Sequence, residues 1–143
     1  MLRLAVAGAA GFCLLIPTHS RVQAISLIEY DSTVASPEPG PHNGGGQTTA
    51  YSFFARTPSL GLVFRKRALH RGAAIGYHLQ EEDEIYYVLS GSGELTLNDA
   101  RSVVGPGTAI LTRTGNRHGL RQLGSDDLVV IIAYQQPKGP QAH

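Results

Sequence analysis

Turn-forming residues recur so often along this chain that long secondary-structure elements have no room to form. Clusters such as Ser90-Gly91-Ser92-Gly93, Gly105-Pro106-Gly107 and Gly124-Ser125-Asp126 separate short runs of residues. The runs are rich in β-branched and aromatic residues, as in the segments 85–89 and 128–132. Frequent turns between such runs are typical of an all-β sandwich or barrel. We expect strands at 51–56, 61–69, 74–79, 84–90, 93–98, 101–104, 108–112, 118–123 and 128–134.

The first 24 residues differ from the rest and have the three-part pattern of a secretory signal peptide. A short positive start, Met1-Leu2-Arg3, precedes an apolar run at 4–17, and small residues flank a cleavage point after Ala24. The apolar run is too short for a transmembrane helix, although a retained anchor is the alternative interpretation. We therefore expect a secreted or periplasmic protein with no membrane association after cleavage.

Removal of this peptide would change the charge and the cysteine content of the chain. Ten basic and eleven acidic residues would remain, giving a net charge of −1, so no strongly basic face for nucleic acid is expected. Cys13 is the chain's one cysteine and would be lost. The mature chain would then have neither a disulfide nor a thiolate nucleophile, and its stability would rest on its hydrophobic core.

The length of 143 residues suits one folded domain. Residues 25–50 are rich in Pro, Gly, Ser and Thr, which predicts an extended or loop-like arm. We expect a signal peptide at 1–24, this arm at 25–50, a barrel domain at 51–137 and a C-terminal tail at 138–143.

Four residues carry side chains that bind first-row transition metals, and strand geometry can bring them together. Side chains alternate across a strand, so residues two apart share a face. His78 and Gln80 share one face, Glu84 begins the next expected strand, and a later strand carries His118. If these faces line one barrel, the four side chains converge and suit Mn, Fe, Co, Ni or Zn.

These residues lie in a glycine-punctuated frame that resembles the two motifs of the cupin superfamily, over about residues 60–134. The resemblance implies a single-domain jelly-roll barrel, a fold that limits exposed sheet edges. It also implies a bound divalent metal and, often, a homodimer. The first motif is Gly72-x5-His78-x-Gln80-x3-Glu84-x6-Gly91, and the second is Gly107-x7-Gly115-x2-His118.

Three positions depart from the family pattern. Gln80 stands where the family has a second histidine, and its amide oxygen is a weaker and uncharged ligand. Arg113 stands where proline is usual, and Gln122 replaces the usual final asparagine. As alternatives to metal binding, the two histidines are ordinary partly buried side chains, and Gln80 forms a hydrogen bond inside the pocket.

Other residues are candidates for contact with a substrate. Tyr86 lies two residues beyond Glu84 and should face the cavity as a catalytic group, or pack in the core. Arg65 or Arg67, which share a strand face, and Arg113 are candidates to hold an anion, because a guanidinium group binds carboxylate or phosphate through two hydrogen bonds. The alternatives are an exposed basic strand for Arg65 and Arg67 and a charge at the rim of the barrel for Arg113.

The sequence therefore favours an exported, metal-dependent enzyme that acts on a small oxygen-rich molecule. A sugar acid, a dicarboxylate or a phenol would suit the site, in dioxygenase, isomerase or lyase chemistry. The first alternative is a non-catalytic module that binds a sugar or an organic anion. The second is an interaction protein with a vestigial site. In each case we expect a homodimer and no nucleic-acid partner.

Overall fold

The computed structural model describes residues 28–136. The expected signal peptide at 1–24 and the expected tail at 138–143 lie outside the described residues. Within the described part, no helix is long and apolar enough to cross a bilayer. The elements in chain order are α1 (Asp31–Val34), β1 (Ala35–Pro39), β2 (Gln47–Phe53), β3 (Leu62–Leu69), β4 (Ala74–Leu79), β5 (Glu84–Ser90), β6 (Ser92–Leu97), β7 (Ala100–Val104), β8 (Ala109–Thr112), β9 (Arg117–Leu123) and β10 (Leu128–Gln135).

The strands form two antiparallel sheets around one core. The six-stranded sheet has the order β1-β2-β3-β10-β5-β8, and the four-stranded sheet has the order β4-β9-β6-β7. One cluster of buried side chains joins both sheets, with Leu69, Val88 and Val130 from the first and Leu95 and Leu120 from the second. The all-β prediction is therefore confirmed.

Inward and outward side chains alternate along β5 as strand geometry requires. Val88 and Tyr86 are 0% and 4% exposed, whereas Tyr87 and Leu89 are 44% and 45% exposed. This alternation places one face of β5 in the core and leaves an apolar face on the outside.

The described part of the Pro- and Gly-rich segment, residues 28–50, contains β1 and the start of β2, whereas the sequence predicted an extended or loop-like arm. β1 pairs with β2, and β2 pairs with β3, so both belong to the six-stranded sheet. Pro37 and Pro39 fit because β1 is the edge strand, where a missing N–H leaves the sheet intact. Turn-forming composition does not distinguish an edge strand from a loop, because the pairing depends on distant residues.

Close backbone packing fixes the glycine-rich segment 40–46 against β4. The Gly76 N–H donates to the Pro41 carbonyl at 2.9 Å. A Cβ atom on Gly44 would lie 2.0 Å from the Ala74 oxygen, and one on Gly76 would lie 2.0 Å from the His42 oxygen. Glycine at both positions permits this approach, which brings the segment onto the strand that carries His78.

Gln122 links two turns from a buried position. Its Oε1 accepts from the Gly72 N–H at 2.9 Å, and its Nε2 lies within 3.1 Å of three carbonyl oxygens, those of Leu123, Gly124 and Asp126. The side chain is 4% exposed, so these hydrogen bonds are shielded from water. In this chain, glutamine at the end of the second motif holds together the turns before β4 and β10.

Candidate functional site

A polar cavity of about 620 Å³ lies where β3, β4, β5 and β10 meet the segment 40–46. Its volume is in the range of small-molecule sites. The predicted residues His78, Gln80, Glu84, Tyr86 and Arg67 all line it. The other lining residues are Pro41, His42, Arg65, Ile75, Leu79, Glu81, Glu82, Ile132, Tyr134 and Gln136.

Strand pairing brings the two predicted histidine ligands together. His78 on β4 is directly opposite His118 on β9, next to an irregularity in the register. The ring centroids lie 4.7 Å apart at an interplanar angle of 75°. His78 Nδ1 donates to the Gly76 carbonyl at 2.8 Å, which leaves Nε2 as the nitrogen with a lone pair.

His118 lies beneath the cavity and is 1% exposed. Its Nδ1 forms a hydrogen bond with the Thr112 hydroxyl, and its Nε2 lies 3.4 Å from both the Tyr86 hydroxyl and Glu84 Oε2. Burial, assisted by the neighbouring rings of His78 and His42, lowers the pKa of His118 to about 4. The imidazole is therefore neutral at physiological pH.

Glu84 is a buried carboxyl group whose charge is poorly compensated. Although Oε2 approaches His118, it has no hydrogen-bond partner among the described residues. Burial raises the pKa of Glu84 from 4.5 to about 7. The Tyr86 hydroxyl and the Arg65 guanidinium oppose this shift without overcoming it, and the Glu82 charge adds to it. Glu84 therefore exchanges its proton near neutral pH.

Tyr86 lies between Glu84 and His118 and is 4% exposed. Burial, together with the adjacent Glu84 carboxyl, raises the pKa of Tyr86 well above its ordinary value. The phenol therefore keeps its proton at neutral pH and acts as a hydrogen-bond donor.

His42 belongs to the site, although it lies outside both sequence motifs. Its ring stacks on His78 with centroids 3.5 Å apart and planes 4° from parallel. His42 has a φ of 53° in a turn closed by the Gly44 N–H and the Pro41 carbonyl at 3.0 Å. Asn43 also has a positive φ, 59°, which asparagine tolerates, but the ring's contact depends on the packing of the segment on β4.

The predicted arginines occupy different environments. Arg67 is 5% exposed and donates to Thr48 Oγ1 at 2.7 Å and to Glu38 Oε2 at 2.9 Å. Arg113 is exposed, pairs with Asp83 at 2.7 Å and is not part of the cavity wall. The structure therefore brings Arg67 to the candidate site and leaves Arg113 outside it.

The metal-ligand prediction concerns His78, Gln80, Glu84 and His118. Gln80 is 6% exposed and faces the cavity with His78. Within residues 28–136, no group of three or more His, Cys, Asp or Glu side chains is arranged to hold a metal ion. His118 contacts both His78 and Glu84, through a ring contact and at 3.4 Å respectively, while Gln80 lines the same cavity.

Comparison with known families supports the architecture. The family model for the cupin domain matches residues 67–134, from β3 to β10. The fold is a cupin-type β-barrel. The match and the fold together support the cupin superfamily, as the two motifs predicted. No curated protein matches the sequence of this chain.

Several solved structures have the same fold. A predicted oxalate decarboxylase from Thermotoga maritima is 21% identical, with a TM-score of 0.70 over 78% of this chain and 100% of that chain. The polyketide cyclase RemF from Streptomyces resistomycificus is 22% identical, with a TM-score of 0.64 over 80% and 83% of the two chains. KdgF from Halomonas sp. is 27% identical, with a TM-score of 0.52 over 64% and 80%. Similarity at this level establishes the barrel and leaves the reaction open.

Replacement of Glu84 by glutamine should change how stability depends on pH. The folded state keeps the Glu84 proton up to about pH 7, whereas the unfolded state releases it near 4.5. Wild-type stability should therefore fall as pH rises through this window, by about 3 kcal/mol for this group. Glutamine does not ionise, so the Glu84→Gln variant should not lose this stability. We therefore expect the difference in free energy of unfolding, variant minus wild type, to rise by about this amount between pH 4.5 and 8.

Chemical denaturation at several pH values, with a metal chelator present, measures this difference. The matched control is Glu94→Gln, because Glu94 lies in a surface ion pair with Arg121 at 3.1 Å. The control should show no comparable rise. A constant difference between Glu84→Gln and the wild type from pH 5 to 8 would contradict the burial of an uncompensated carboxyl group.

Proposed function

We propose that this protein binds a small oxygen-rich molecule in the barrel cavity and acts on it with a divalent transition metal. His78, Gln80, Glu84 and His118 would hold the metal. The observation that carries the proposal is Glu84 Oε2, a buried carboxylate oxygen without a hydrogen-bond partner among the described residues, which lies 3.4 Å from His118 Nε2. A buried carboxylate is costly without a partner, and a cation would compensate it.

The chemistry of the four side chains fits a metal of the first transition row. Metal-binding histidines commonly donate their second ring N–H to a carbonyl or carboxylate, which orients the ring. His78 does this to the Gly76 carbonyl at 2.8 Å, and His118 Nδ1 is held by Thr112. The Nε2 atom of His78 is thus available for a ligand role, and that of His118 has only long contacts, at 3.4 Å, with the Tyr86 hydroxyl and Glu84 Oε2.

A bound metal would supply Lewis-acid polarisation of a substrate oxygen. Without a cation, burial raises the pKa of Glu84 to about 7, whereas a bound cation would hold Glu84 in its carboxylate form. Tyr86 keeps its proton and can donate a hydrogen bond to an oxygen that gains charge. Isomerase, lyase and dioxygenase chemistry are each compatible with this arrangement.

A non-catalytic binding module is the second candidate function. It is favoured by the absence, among the described residues, of a group of three His, Cys, Asp or Glu side chains arranged around an ion. In that case the polar wall of the cavity would hold a sugar or an organic anion, and the histidines would act as hydrogen-bonding groups.

Metal analysis separates the two candidates. We expect about one equivalent of a divalent metal in the protein purified from cells, and at least a tenfold loss of metal affinity in His78→Ala and in His118→Ala. His70→Ala is the matched control, because His70 pairs with Asp127 at 2.9 Å on the surface. Elemental analysis and metal titration measure both quantities. A wild-type protein that takes up no Mn, Fe, Co, Ni or Zn would reject the metal-dependent enzyme.

Export is also part of the proposal, since the pattern of residues 1–24 predicts a signal peptide. Cleavage after Ala24 would release the barrel into the periplasm or the medium. The N-terminal residue of the protein recovered from that compartment tests this, because Met1 at that position would exclude cleavage.

We further propose a homodimer that forms through the outer face of the six-stranded sheet. Ile85, Tyr87, Leu89 and Leu111 on β5 and β8 are each 44–52% exposed. Leu111 is directly opposite Ile85, so these side chains form one continuous apolar patch. Patches of this kind mark interfaces between proteins.

A charge in the patch should separate the subunits. We expect wild-type protein to sediment as a dimer and Ile85→Lys to sediment as a monomer at the same concentration. Val103→Lys is the control, because Val103 is 75% exposed on β7 in the other sheet. Sedimentation velocity gives the mass, and a monomeric wild type would exclude the dimer.

A further inference from the structure

Two arginines on the inner face of β3 differ in how their charge is compensated. Arg67 is almost fully buried, and its two terminal nitrogens donate to Thr48 and Glu38 at 2.7 and 2.9 Å. The charge of Arg67 is therefore compensated within the protein, and its hydrogen bonds connect β3 to β1 and β2. A ligand that paired with Arg67 would have to compete with Glu38.

Arg65 is the cation that is left available. Its Nε is buried and has no hydrogen-bond partner among the described residues, and no acid within residues 28–136 forms an ion pair with it. Its guanidinium carbon lies 6.0 Å from the centre of the Tyr134 ring. A buried N–H without an acceptor is unfavourable, and more so when it carries charge.

The strand register directs Arg65 toward the proposed reaction centre. Arg65 is opposite Ile132 on β10, and Ile132 is opposite Tyr86 on β5. These three side chains form one row across the inner face of the sheet. An anion bound to Arg65 would therefore lie on the same wall as Tyr86 and one row from Glu84.

Arg65 also lies between two cavities of different size. It forms part of the 620 Å³ cavity and of a second cavity of about 280 Å³, and Gln136 is the other residue that lines both. The lining of the second cavity includes the aromatic side chains Phe53 and Phe54 as well as polar groups such as Ser52. An acid bound at Arg65 could thus place a hydroxylated group in the first cavity or an aryl group beside the phenylalanines of the second.

We infer that Arg65 is the residue that recognises a carboxylate group of the ligand. The inference rests on the proposed function in so far as it takes this cavity as the ligand site. The edge of a guanidinium group that includes Nε matches a planar carboxylate through two parallel hydrogen bonds. Glu81, Glu82 and Glu84 line the same cavity, so a singly charged carboxylate is favoured over a doubly charged phosphate.

Binding of matched acids and neutral molecules tests the inference. Glucuronate and phenylacetate are compared with glucose and phenylacetamide by titration calorimetry, and inorganic phosphate is added as a further probe. We expect at least one acid to bind about tenfold more tightly than its neutral counterpart. Arg65→Gln should remove this preference, and Arg65→Lys should restore only part of it, because lysine keeps the charge but lacks the planar fork.

Arg101→Gln is the matched control, since Arg101 lies on the surface 3.8 Å from Glu94. It should leave the preference for the acid unchanged. Binding of glucuronate would place the ligand in the first cavity, and binding of phenylacetate would place it in the second. Either result supports the inference. For the wild type, the inference is overturned if neither acid binds at millimolar concentration, or if the neutral molecules or phosphate bind as tightly as the acids or more tightly. It is also overturned if Arg65→Gln and Arg65→Lys both keep the preference for the acid.

Metal content is measured on the same samples, and the titrations are repeated with 1,10-phenanthroline, a chelator that carries no carboxylate. Protein that takes up none of Mn, Fe, Co, Ni or Zn and still selects acids through Arg65 would reject the metal-dependent enzyme and support this inference. Metal-containing protein that does not distinguish acids from neutral molecules would reject this inference alone.

Discussion

The burial of Glu84 beside His118 is the constraint around which the site is organised. Burial raises the pKa of the carboxyl group to about 7 and lowers the pKa of the imidazole to about 4, so both groups favour their neutral forms. The pairings of β4 with β9 and of β5 with β8 and β10 hold the two groups 3.4 Å apart. Without a cation, a proton therefore favours Glu84 over His118, and a cation at the unpaired Oε2 would shift Glu84 to its carboxylate form.

Backbone packing on β4 adds the glycine-rich segment 40–46 to the site that contains Glu84 and His118. Gly44 and Gly76 permit backbone contacts that a Cβ atom would block, and these contacts set the turn that presents His42. The imidazole of His42 then stacks on His78, whose Nδ1 is held by the Gly76 carbonyl. The orientation of His78 therefore depends both on its own strand and on a segment more than thirty residues earlier in the chain.

Local chemistry explains why the strands could be predicted and why parts of the site could not. Turn residues and the two-residue period are local, so the expected strands from 61–69 to 128–134 correspond to β3 through β10. The same period correctly placed Glu84 and Tyr86 on the inner face. β1 and the stacking of His42 depend on pairing and packing between distant segments. Arg113 was chosen for its place in a motif, and motif position does not report that Asp83 is its partner.

The contrast between Arg65 and Arg67 shows how one strand face can serve two purposes. Both residues point inward, and the sequence pattern treats them alike. Glu38 on β1 makes the difference, because it compensates Arg67 and lies too far along the sheet to reach Arg65 as well. Under the proposed function, a divalent ion held by neutral histidines, a neutral Gln80 and one carboxylate would keep a net positive charge. Together with Arg65, which forms no ion pair among the described residues, that charge favours an anionic ligand, so the proposed metal and the arginine on β3 point to the same class of molecule.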